Sequence, residues 1–147
     1  MALTAAIGIP LYFAGATHAM GALGANIIGA VVIVFPVTIG MAVFESSRRE
    51  ATLGKWVRSV IVVDSRSGMR VSFGRALARN VLKIALPWAV GHAAVYEIVS
   101  ASAAGSVPPE VVALTTAAYI LPVSYVLFLF IGTGRTPYDR ICRTAVS

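Results

Sequence analysis

Residues 52–83, TLGKWVRSVIVVDSRSGMRVSFGRALARNVLK, decide how the rest of the chain is read. This stretch holds seven of the twelve basic residues, shows no catalytic constellation, and lies between two long apolar regions. It therefore reads as a cytoplasmic connector between membrane helices.

Composition supports that reading. The 147 residues are 58% hydrophobic and only 12% charged, with a mean hydropathy of +0.84, whereas a soluble domain carries about 25% charged residues. No Asp, Glu, Lys or Arg occurs in residues 1–44, and a hydrocarbon core of ~30 Å takes about 20 apolar residues per helix. That region is long enough for two spans, with a break at residues 20–26 (MGALGAN), where Gly relaxes the backbone and Asn seeks a polar level. Beyond the basic stretch the apolar pattern resumes and breaks once more at residues 102–110 (SAAGSVPPE). The expected spans are 3–20, 27–44, 84–103 and 111–131, with residues 45–83 cytoplasmic. The fold class expected is all-α, a four-helix transmembrane bundle.

Orientation follows from the Lys and Arg excess of cytoplasmic loops. All twelve basic residues lie between the second and third spans or in the tail. Both termini are therefore expected in the cytoplasm of a bacterial inner-membrane protein, and the net charge of +6 reads as topology. Anionic lipid headgroups are the partner that such charge fits, at about 1 kcal/mol per basic residue near the surface. Nucleic-acid binding would need a folded basic surface facing solvent, and a short segment tied at both ends to membrane does not offer one. Ala14, Gly15 and Ala16 have the form of a signal-peptide cleavage site, but the positive n-region is missing, so the first span is kept as a mature helix. The single Cys142, on the reducing side of the membrane, is expected to be inert.

Within the connector, residues 60–63 are β-branched or aliphatic, residues 64–68 form a Ser/Gly turn, and residues 69–73 alternate again. The pattern predicts a β-hairpin. Ser72 is then the candidate N-cap of a helix in which Arg75, Arg79 and Lys83 recur every four residues. An amphipathic surface helix leading into the third span is expected, its basic stripe acting as an anchor.

At these residues the chain resembles the RDD family of small bacterial membrane proteins, named for an Arg and two Asp. The likeness is carried by Thr52, Gly54 and Lys55, by Val62, Val63 and Asp64, by Gly68, and by SFGRALARN at residues 72–80. It returns in RTPYDRICRTAV at residues 135–146, where Arg135, Thr136, Asp139, Thr144 and Val146 fit the closing motif. The departures are specific. The first helix lacks the Arg and Asp usual in the family, Tyr138 stands where a His is common, and Ser59 where a Gly is common. Of the name-giving three, only Asp139 remains. The resemblance implies a transport-related role, with cation/proton exchange proposed for some members.

No phosphate loop, metal-ligand cluster or paired carboxylates point to an enzyme, and neither a cofactor nor a metal is expected. His18 and His92 stand on different helices, where each reads as a packed residue. Every span carries one proline, at Pro10, Pro36, Pro87 and Pro122, and small residues recur at four-residue spacing at Gly21, Ala25 and Gly29 and at Ala85, Ala89 and Ala93. Such spacing favours close helix contact, within one chain or between chains. Two functions fit: an accessory or structural subunit of a larger membrane transport complex, or a stand-alone transporter of ions or small solutes, with proton coupling as one form of it. The cytoplasmic motif residues are Lys55, Ser72, Arg75, Arg79 and Asp139, with Asp139 expected to pair with Arg75 or Arg79. The candidate intramembrane pair is His18 with Glu97, each about 21 to 22 Å along its helix at 1.5 Å per residue; the other reading lets Glu97 reach the headgroups.

A cysteine placed at Ser67 should resist membrane-impermeant thiol reagents in intact cells, while one at Ser106 should label. The reverse pattern would invert the topology.

Overall fold

The computed structural model describes residues 22–48, 50–131 and 134–147. The expected first span, and His18 with it, lies outside the described residues.

Helix α1 runs without interruption through Ala22–Gly29, a π-helical turn Ala30–Val34, and Phe35–Ser46. A short helix, α2, follows at Leu53–Val57, and then strand β1 at Val62–Asp64. Helix α3 comprises Phe73–Asn80, a second π-helical turn Val81–Ala85, and Leu86–Ala104. Helix α4 spans Pro109–Phe130, α5 is Pro137–Ile141, and strand β2 is Thr144–Val146. Among the described residues, three helices are long and apolar enough to cross a membrane: Asn26–Ser46, Phe73–Ala104 and Pro109–Phe130. They cover the second, third and fourth expected spans.

The two π-helical turns share one setting, just before a proline. Pro36 and Pro87 bring no N–H to the helical ladder, and each follows closely on a widened turn in which Phe35 N–H bonds to Ala30 C=O and Leu86 N–H to Val81 C=O. Helices absorb such a defect as a π-bulge. The two turns touch across the α1–α3 contact. Close by, a Cβ on Gly29 would come within 3.1 Å of the Trp88 ring, so glycine is what admits the indole there.

Two expectations about the connector are corrected. The hairpin of residues 60–73 reduces to a single bridge, Val63 with Arg70. Strand β1 takes its partner from the far end of the chain, pairing antiparallel with β2 in the register Val62 to Val146, Val63 to Ala145 and Asp64 to Thr144. The reason is space: helix α3 begins at Phe73, three residues after Arg70, leaving no length for a second strand. The turn itself forms, because Asp64 Oδ1 accepts from the N–H groups of Arg66 and Ser67 and Gly68 supplies a φ of +67°.

The surface helix is the second correction. Residues 73–80 are the opening turns of α3, continuous with the membrane span, and they pack against the end of α1. Ala42 of α1 and Ala76 of α3, with Val62 and Val71, form the small buried core at this end, and Leu77 packs against it. Alanines at the crossing let the two backbones approach. Ser72 occupies the N-cap backbone position, but its side chain makes no capping bond.

Helix α2 closes with a Schellman motif: Val60 N–H bonds to Lys55 C=O and Ser59 N–H to Trp56 C=O. The motif wants a left-handed residue after the cap, and Ser59 sits there at φ +53°. Ser59→Gly should therefore raise stability by roughly 0.5 to 1 kcal/mol, the left-handed strain of an L-residue less the added chain entropy of glycine, read as a higher melting temperature in detergent.

Candidate functional site

The α1–α3 crossing brings charges together. Ala42 and Glu45 lie three apart on α1, and Ala76 lies three and four before Arg79 and Asn80 on α3. Helical residues so spaced share a face, and the alanine contact therefore carries Glu45, Arg79 and Asn80 into one buried cluster. Arg79 is 2% exposed and Glu45 fully buried.

The Arg79 guanidinium bridges two carboxylates. Its Nη1 donates to both oxygens of Glu45 at 2.9 Å, and its Nε donates to Asp139 Oδ1 at 2.6 Å. Of the two partners expected for Asp139, the structure gives it Arg79. Glu45 also accepts from Lys55 Nζ (2.7 Å) and Asn80 Nδ2 (2.8 Å). Asp139 accepts the hydroxyls of Thr136 (2.6 Å) and Thr144 (2.8 Å). Tyr138 lays its ring 5.3 Å from the guanidinium carbon and meets Tyr125 edge-on at 5.0 Å. The Tyr125 hydroxyl in turn donates to Leu82 C=O.

Arg75, one turn earlier, ties the same helix to the tail. Its guanidinium pairs with Asp64 and donates to the carbonyls of Cys142 (2.9 and 3.0 Å) and Arg143 (2.5 Å). Arg135 holds the Thr144 carbonyl from the other side. The basic stripe expected to anchor at lipid thus spends Arg75 and Arg79 on the protein's own tail.

Burial raises the Asp139 pKa, but the Arg79 charge and the hydroxyl donors outweigh it and hold the carboxyl below its ordinary value. Asp64 is held at about 2, chiefly by its Arg75 hydrogen bond. Burial lowers the Lys55 ammonium, and the neighbouring Arg79 charge adds to the effect. Burial likewise pushes the Cys142 thiol up, away from the reactive thiolate form.

With two carboxylates against Arg79 and Lys55, the cluster is neutral. Each of its four carboxylate oxygens already accepts at least one hydrogen bond. A carboxylate so occupied has little capacity left to bind an ion or move a proton, so what the cluster can do chemically is hold three segments of chain together. Among the described residues no group of three or more His, Cys, Asp or Glu could hold a metal ion.

Glu45 is the member that sequence reading missed. A signal existed: it is the first acidic residue after the apolar N-terminal region, at the end of one span, while Arg79 and Asn80 stand at the start of the next. Two consecutive spans joined on one side must place those residues at one level. Glu97 is exposed on α3, and the structure describes no His18 to pair with it. His92 stacks on Trp88 at 4.1 Å with its Nδ1 3.1 Å from the Trp88 carbonyl.

The RDD family model matches residues 1–143. No curated protein and no solved structure matches the chain.

Removing one partner from a buried pair strands the other charge, at a cost of roughly 3 to 5 kcal/mol. Arg79→Gln should cost that much, since it strands Asp139 and leaves Glu45 with Lys55 as its remaining charge partner, and Asp139→Asn should cost less. The double variant should be no less stable than Arg79→Gln alone, by thermal unfolding in detergent. Strict additivity would detach Asp139 from Arg79.

Proposed function

The chain belongs to the RDD family, and from that premise we propose that it is an accessory or structural subunit of a larger membrane transport complex in the bacterial inner membrane, with both termini in the cytoplasm. One observation carries the reading. Among the described residues, the buried charged side chains are Glu45, Arg79 and Asp139, which form one network at one end of the helices, with Lys83 half-buried close to it. Farther along the described spans, Glu97 and His92 are exposed. A transporter of charge draws on ionisable groups along a path through the bilayer, and a cluster at one end whose carboxylate oxygens are all engaged does not form one.

The helix surfaces favour the same reading. Helix α4 turns Tyr119, Ile120, Val123, Leu127 and Phe130 outward, with Phe130 83% exposed. In a bilayer such a face is covered by lipid or by the helices of another subunit or a second copy, and no aqueous route is implied by it.

Proteoliposomes holding only this protein should pass protons and monovalent cations no faster than lipid vesicles alone. Extraction of native membranes in mild detergent should retain a larger membrane protein in fixed ratio to this chain. Flux from the isolated chain, with nothing co-purifying, would replace the accessory role with that of a stand-alone transporter.

A further inference from the structure

Helix α1 and the start of α2 line a shallow, open apolar groove of about 340 Å³. Along α1 it is lined by Pro36, Gly40 and Phe44, and at its far end by Thr52 and Gly54. The space at Gly40 and Gly54 is open, since a Cβ on either would meet no atom within 4 Å. From Pro36 to Phe44 the groove follows eight residues of helix, about 12 Å, inside the span Asn26–Ser46. Thr52 and Gly54 lie beyond that span.

The mouth is basic. Arg48 stands two residues past the end of α1, and Arg58 caps α2 one turn after Gly54. Both are exposed, and neither enters an ion pair among the described residues. Thr52 makes no side-chain capping bond to α2. Between the arginines, α2 turns out Trp56 at 60% and Val57 at 76% exposure. An exposed Trp beside Arg at the end of a span marks the headgroup level. An occupant of this groove must be apolar where it lies along α1 and anionic where it leaves past α2.

We propose that the groove is a binding site for an anionic phospholipid, one acyl chain lying along Pro36, Gly40 and Phe44 and the phosphate meeting Arg58 and Arg48. The site is separate from the Arg79 cluster, whose cations are spent on Glu45 and Asp139, whereas Arg48 and Arg58 are free to meet a phosphate. A bound lipid would also hold α2 against α1 at the membrane surface.

Native mass spectrometry of the purified protein with phosphatidylglycerol and with phosphatidylcholine of the same acyl chains tests the site. The wild type should retain phosphatidylglycerol in preference to phosphatidylcholine. The double variant Arg48→Gln, Arg58→Gln should lose roughly 30-fold of phosphatidylglycerol retention, the attraction of two basic groups near an anionic surface, and leave phosphatidylcholine unchanged. Gly40→Leu and Gly54→Leu, which fill open space, should each weaken retention of both lipids about tenfold with no change in melting temperature in lipid-free detergent. Equal retention of the two lipids by the wild type would overturn the proposal, as would unchanged retention in the arginine variant, which alters only exposed side chains. Leucine variants that keep the lipid but lose a co-purifying protein would give the groove to a protein partner and sink the lipid site.

Discussion

A guanidinium buried at the membrane boundary cannot stand alone. Transferring an ion from water into a protein interior costs several kcal/mol even after relaxation, and Arg79 is 2% exposed. It is tolerated because Glu45 and Asp139 neutralise it from two sides and Tyr138 covers a face. Those partners come from α1 and α5, so one side chain of α3 fixes where three separated segments must meet. A buried pair of this kind adds little net stability against an apolar replacement. What it supplies is a single permitted arrangement, since any other leaves a charge unpaired.

The remainder of the polar end follows from that meeting. Once Asp139 is held, Thr144 donates to it, and the residues after it are in position to form β2 along β1. Arg75 then bonds the carbonyls of Cys142 and Arg143 and pairs with Asp64 at the turn after β1. The tail is thereby bonded to two elements from the middle of the chain. The membrane end is built differently, from close backbone approach at Gly29 against Trp88 and from widened turns before Pro36 and Pro87. Packing holds that end, and ion pairs hold the other.

The family's name refers to one arginine and two aspartates, and this chain lacks the first-helix pair. An arginine and two carboxylates meet nevertheless, at Arg79, Glu45 and Asp139. Their oxygens are turned inward to donors of the same chain, and that saturation favours holding over moving. Arg48, just past α1, and Arg58, at the end of α2, stay exposed. The positive charge thus divides by geometry into an inner part that folds the protein and an outer part that faces its surroundings.

The sequence by itself determined the three described spans and the turn after β1, because both are local: about 20 uncharged residues suffice to cross a bilayer, and Asp64 with Gly68 dictates its own turn. The Arg79 to Asp139 contact was also within reach, since both residues stand beside membrane spans on one side. Only the tertiary structure decided the rest. A three-residue strand such as β1 carries no record of its partner, and β2 lies about 80 positions away. The basic stripe on α3 has the same periodicity whether it meets lipid or protein, and the presence of Glu45, the Cys142 and Arg143 carbonyls and Asp139 around it is a fact of packing. Periodicity states which side chains share a face; what that face meets depends on residues brought from elsewhere in the chain.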